Sequence, residues 1–250
     1  MPSRFTRNHL RRYLIRCAPN AITLTAMCLG LTALRFSYVR EDIKLSLLLL
    51  LIAAICDGLD GKVARKLNVQ SGVGAQLDSL ADFLNFCVTP ALIIYEWHLK
   101  DLYFFGWVAT LAFLCGGAYR LARFNVMHAG GVENVSTNFF LGVPTPAGAL
   151  LSFLPMVLML EGYIQDKSAI FTAFYMVFVA GLMVSYIKTP STKLICIPRG
   201  RIKHALIGIA LLVLAVFIAP LHMYLITIIS YIALIGFFFC YDDIYRKHKK

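Results

Sequence analysis

Eight windows of roughly 17 to 24 apolar residues run through the chain, at about 20–36, 44–66, 75–97, 102–124, 143–161, 168–187, 203–219 and 221–240. Each is long enough to cross the hydrocarbon of a bilayer as a helix, and 59% of the 250 residues are hydrophobic. With no water in the hydrocarbon layer, every backbone N–H and C=O must be bonded internally, which helices achieve one by one. The expected fold is therefore all-α: a polytopic transmembrane helical bundle of about eight spans. An ordinary soluble domain is excluded.

The cations orient the set. With the N-terminus inside, nineteen of the 24 Lys and Arg residues fall in inner segments, leaving Arg35, Arg40, Lys44, Lys100 and Lys167 outside. The positive-inside rule then places both chain ends at the cytoplasmic face of the inner membrane. The net charge of +11 follows from the same asymmetry, so it points to anionic lipid head groups and away from nucleic acid. Residues 4–16, RFTRNHLRRYLIR, group Arg4, Arg7 and Arg11 apart from Leu10, Tyr13 and Leu14. They read either as a short amphipathic helix on the inner leaflet or as an unstructured basic tail. No cleavable signal is expected, because more apolar spans follow the first. The seven Cys and six His residues show no ligand spacing, which disfavours a disulfide scaffold or a zinc site.

Into this apolar setting the stretch CDGLDGKVARKLNVQSGVGAQLDSLADFLN, residues 56–85, inserts four carboxylates: Asp57, Asp60, Asp78 and Asp82. Carboxylates at membrane depth are costly unless paired or bound to cations. On a helix, Asp57, Gly61 and Ala64 fall within ~60° of one another, with Asp60 beside them. Gly74, Asp78 and Asp82 repeat the pattern at i, i+4, i+8 on a second helix. The polar, Gly-containing KLNVQSGV between them reads as a turn, so the helices should run antiparallel with their acids converging. Oxygen donors without His or Cys suit Mg²⁺, Mn²⁺ or Ca²⁺. Two such ions bridged by carboxylates would serve displacement at phosphorus. Gly61 and Ala64 leave the helix surface bare, for a ligand or for close helix packing. Arg65 offers a fork to a phosphate.

The pattern D-x-x-D-G-x-x-A-R, eight residues, then G-x-x-x-D-x-x-x-D resembles the signature of the CDP-alcohol phosphotransferase family at every position: Asp57, Asp60, Gly61, Ala64, Arg65, Gly74, Asp78 and Asp82. The resemblance implies transfer of a substituted phosphate from a CDP-activated donor to an alcohol, with CMP leaving. It implies that Asp57, Asp60 and Asp78 hold two divalent metals, and that Asp82 completes the site and accepts the proton of the acceptor hydroxyl. It also implies a homodimer. Pro19, Asn20 and Thr23 resemble a family Pro-Asn-x-x-Thr near the nucleotide, though as local structure they are a helix cap. Ser71 resembles a family Ser/Thr close to the donor and serves equally as a turn residue.

A second, shorter likeness concerns the acceptor. YRLARFN followed by GVPTPA resembles the membrane-integral phosphatidylserine synthases, which implies CDP-diacylglycerol as donor and L-serine as acceptor. Arg120 and Arg123 would then fix acceptor or phosphate by forked hydrogen bonds; as structure alone they are snorkelling anchors. Gly142, Pro144 and Pro146 should break the backbone ahead of the fifth span. The expected organisation is a basic segment 1–18, a phosphotransferase core of six spans over 19–187, and 188–250 as a basic loop, two spans and a cytoplasmic tail. Other acceptors (glycerol 3-phosphate, inositol phosphate, choline) keep the same chemistry. A cation-coupled transporter is the rival of a different class, since acids within spans also line ion paths.

Overall fold

Helix accounts for nearly all of the chain that the computed structural model describes, namely residues 4–39, 42–69, 71–129, 139–164, 168–190 and 220–247. The window 203–219 and most of the basic stretch after Lys188 lie outside those residues. The chain divides into two compact units, Met1–Thr89 and Pro90–Lys250.

The first unit holds α1 (Arg4–Val39), α2 (Ile43–Leu67), α3 (Gly72–Phe83) and a π-helical turn, Leu84–Val88. Where a short separate helix and then a capped span start at Pro19–Asn20 were expected, one helix runs unbroken, with Pro19 inside it. An interior Pro forfeits one N–H bond and crowds a carbonyl, and α1 tolerates that single loss. Asn20 is therefore helical and not a cap. On α1 the buried positions Thr23, Ala26, Gly30, Ala33 and Ser37 recur at steps of three and four, the spacing of a helix seam. Small side chains there let α2, and at Gly30 the Leu84–Val88 turn, approach closely. The Ser46 hydroxyl of α2 donates to the Ala33 carbonyl at 2.7 Å. Asp42 caps α2, its side chain accepting from the Leu45 N–H at 3.0 Å.

Both ends of the turn between α2 and α3 are specified. Asn68 is left-handed (φ 53°, ψ 42°), a conformation Asn tolerates better than other residues with a Cβ. Its N–H reaches the Arg65 carbonyl, and the Val69 N–H reaches that of Ala64, closing a Schellman motif. Ser71 then caps α3, its Oγ accepting from the Gly74 N–H at 3.0 Å.

α4 (Thr89–Ile94) carries the chain into the second unit, followed by a second π turn at Tyr95–Leu99, a 3₁₀ turn at Lys100–Leu102 and α5 (Tyr103–Ala129). Tyr103 has φ 47°, and the chain doubles back there. The Tyr95 ring meets that of Trp107 edge-on at 5.2 Å, and Gly106 lies so near the Leu99 carbonyl that a Cβ would collide with it. The helical run Gly72–Met127 is long and apolar enough to cross a membrane. At 56 residues it exceeds twice the roughly 20 a bilayer needs, and the reversal divides it in two. Cys17–Val39 is a further run of spanning length.

The rest of the second unit comprises β1 (Phe139–Leu141), α6 (Thr145–Ser152), α7 (Leu154–Leu160), α8 (Ala169–Val184), β2 (Lys188–Pro190) and α9 (Pro220–Lys247). The window 143–161 is thus two short helices, parted at Phe153 just before Pro155. Gly142 (φ 78°) and Pro144 precede α6, the expected backbone break. β1 and β2 pair antiparallel, with Phe140 opposite Thr189. Gly116 of α5 admits Ala180 of α8, and Phe113, Phe153, Met156, Met176 and Met183 are fully buried in this unit.

Candidate metal centre

The four carboxylates converge within the first unit. Asp57 and Asp60, three apart on α2, and Asp78 on α3 each place one oxygen within 4.8 Å of the others. Asp82, one turn beyond Asp78, brings its carboxyl beside that of Asp57. Two carboxyl groups at such a distance need a proton or a cation between them. The turn makes this possible: the Schellman closure and the Ser71 cap reverse the chain within a few residues and oppose the two acidic faces.

Asp60 is 3% exposed and is held from α1, where the Thr23 hydroxyl lies 2.5 Å from its Oδ2. Its Oδ1 accepts from the Gly61 N–H. Among the described residues, Asp57, Asp60 and Asp78 form no ion pair. Asp57 Oδ1 is buried with no hydrogen-bond partner among the described residues. Buried acceptors are seldom left unpaired, and an unpaired oxygen facing further carboxylates fits a hard divalent cation. Asp57, Asp60 and Asp78, with Asp82 beside them, are the residues that could hold it.

Beside the acids the surface is open. A Cβ built on Gly58 or Gly61 meets nothing within 4 Å, so the α2 backbone is available to a flat ligand, with Ala64 and Arg65 a turn further on. Across the turn, Asn20, Ser71 and Gly74 come together: a Cβ on Gly74 would stand 3.1 Å from both Asn20 Oδ1 and Ser71 Oγ. Asn20, Thr23, Gly61, Ala64, Arg65, Ser71 and Gly74 thus share one unit with all four acids.

Arg120 and Arg123 belong to the other unit. Arg120 is buried and donates to Thr145 Oγ1 at 3.0 Å, its guanidinium over the Phe124 ring. Arg123 donates to the Val184 and Ser185 carbonyls and lies over the Tyr119 and Tyr186 rings. It therefore caps the C-terminal end of α8, a structural task that an Arg-x-x-Arg spacing does not announce. The sequence reading also missed the Thr23–Asp60 bond, which joins residues 37 apart, and Asn85, a buried polar residue in an apolar run.

Comparison with known proteins bears on the same residues. A family model described as CDP-alcohol phosphatidyltransferase matches residues 16–187. A CDP-diacylglycerol–serine O-phosphatidyltransferase of Mycobacterium tuberculosis H37Rv is 35% identical over 225 residues, covering 89% of this chain and 78% of that protein. The enzyme of that name from Helicobacter pylori 26695 is 35% identical over 181 residues, 70% of this chain and 72% of its own. An archaetidylserine synthase of Methanothermobacter thermautotrophicus is 38% identical over 148 residues, 57% of each chain.

Proposed function

Because this chain belongs to the CDP-alcohol phosphatidyltransferase family, we propose that it transfers the phosphatidyl group of CDP-diacylglycerol to the hydroxyl of L-serine, giving phosphatidylserine and CMP. The observation that carries this reading is the convergence of three carboxylates, one with an orphaned buried oxygen, beside an open glycine-lined helix face. Relatives over most of the chain carry the serine-specific name.

Asp57, Asp60 and Asp78 would hold divalent metal, Mg²⁺ or Mn²⁺, in two sites, with Asp82 completing the set. A metal bound there would supply charge to offset that of the diphosphate and of the departing phosphate oxygen. Thr23 keeps Asp60 in place. Gly61 and Ala64 admit the nucleotide to the α2 backbone, with Asn20, Ser71 and Gly74 across the turn, and Arg65 pairs with phosphate. Asp82 takes the proton of the serine hydroxyl. The serine oxygen then bonds to the phosphorus that bears diacylglycerol, and the bond from that phosphorus to the CMP oxygen breaks.

The site opens at the cytoplasmic face of the inner membrane, where a soluble acceptor meets a lipid donor. About eight spans form the bundle, both ends are cytoplasmic, and the basic first part of α1 rests on anionic head groups. The active form is a homodimer. The core is 19–187, between a basic segment 1–18 and a C-terminal part 188–250. Arg120 and Arg123 are proposed to act on acceptor or phosphate only in addition to their packing roles.

The test is CMP release by purified protein given CDP-diacylglycerol and one alcohol at a time. L-serine alone should support release. Release with glycerol 3-phosphate, inositol phosphate or choline instead would replace the acceptor and keep the chemistry. No release with any alcohol would refute the enzyme reading and return the transporter.

A further inference from the structure

Past Asp82 the first unit enters the apolar run Leu84–Val88, and two polar side chains stand at and just beyond it. Asn85 is 1% exposed and Thr89 is fully buried. Neither atom of the Asn85 amide, nor the Thr89 hydroxyl, has a hydrogen-bond partner among the described residues. Buried polar atoms of this kind ordinarily have partners, because leaving them unmade costs the full desolvation of the group.

The register relates these groups to the acids. Asn85 follows Asp82 by three residues and Asp78 by seven, so the three share one helix face, with Asn85 about one turn deeper. The helix is widened at this point, the Thr89 N–H reaching back five residues to the Leu84 carbonyl. Pro90, which has no N–H and crowds the carbonyl four residues back, gives a local reason for the bulge. Single π turns of this sort recur at functional sites. Opposite the amide, α1 presents Gly30, where a Cβ would collide with Asn85 Oδ1. The glycine leaves room for that amide.

We infer that Asn85, assisted by Thr89, is the hydrogen-bonding contact for the polar head of the acceptor alcohol. This rests on the proposed role of Asp82: an acceptor hydroxyl at that carboxylate leaves the rest of a small amino-acid alcohol about one helical turn, ~5 Å, from it. A primary amide offers both donors and an acceptor without charge. It therefore suits a zwitterion, donating to the carboxylate and accepting from the ammonium, and gives no advantage to a phosphorylated alcohol.

CMP release measured against L-serine and against CDP-diacylglycerol tests the inference. N85A should raise the KM for serine about tenfold to a hundredfold and leave the KM for the donor within about twofold. T89V should raise the serine KM by less. G30A should raise it as well, because its methyl displaces the amide, and should add nothing in the N85A background. If N85A does not fold, T89V and G30A decide by the same split between the two KM values. An unchanged serine KM with only a lower melting temperature would overturn the inference and leave Asn85 a packing role alone. A G30A effect as large in N85A as in the wild type would also overturn it. Failure of the proposed function appears separately, in a wild type that releases no CMP with serine. Release with a phosphorylated alcohol in place of serine would overturn the inference while keeping the chemistry, and release with none removes both.

Discussion

Adding one methyl to Gly61 and one to Gly74 should have different consequences, because the space around the two α-carbons differs. At Gly61 the methyl meets nothing in the protein and favours helix by up to about 1 kcal/mol. Gly61→Ala should therefore melt no lower than the wild type while its KM for CDP-diacylglycerol rises, since only the ligand loses room. At Gly74 the methyl meets Asn20 and Ser71 at 3.1 Å, so Gly74→Ala should lose donor affinity and some stability together. Thr23→Val removes the hydroxyl that holds buried Asp60. Loss of such an outer partner typically costs about 10–100-fold in metal affinity, to be read as the Mn²⁺ concentration giving half-maximal CMP release. At this scale the sequence was informative where one helix period sets the geometry, as for Asp57 with Asp60 and Asp78 with Asp82. It was silent where two helices meet, because nothing in the spacing tells Thr23 to face Asp60 or Asn85 to face Gly30.

The turn between α2 and α3 is the element that converts two acidic helix faces into one site. Asn68→Gly keeps the left-handed residue and should be neutral. Asn68→Val should cost about 1–2 kcal/mol, and Ser71→Ala about 1 kcal/mol through loss of the α3 cap. Both should also raise the metal concentration needed for turnover, because they loosen the opposition of the acids; thermal melting alongside metal titration checks this. The existence and position of this turn were legible from KLNVQSGV, and the extents of helices α2, α5 and α8 from hydropathy. The continuity of α1 was not, since Pro19–Asn20 has the composition of a cap and only tertiary structure places Asn20 beside Gly74. The two π turns also left little trace, apart from Pro90 after the first, because a widened turn keeps the apolar pattern of the helix around it.

At the scale of the whole molecule, helical class and apolar runs were fixed by composition, while the breaks within them were not. The 56-residue run from Gly72 is divided by a positive φ at Tyr103, a residue with no special turn propensity. The charge asymmetry predicts that a protease site placed after Lys250 stays protected in intact spheroplasts and is cut once they are opened; cutting from outside would reverse the topology. All of the proposed chemistry depends on the acids sharing divalent metal, which Mn²⁺ binding to the purified protein, followed by electron paramagnetic resonance with and without CDP, measures directly. Saturable binding that tightens with CDP and is lost in Asp57→Asn and Asp78→Asn is the predicted result. Absence of Mn²⁺ binding in the wild type, or binding that survives both substitutions unchanged, would contradict the account.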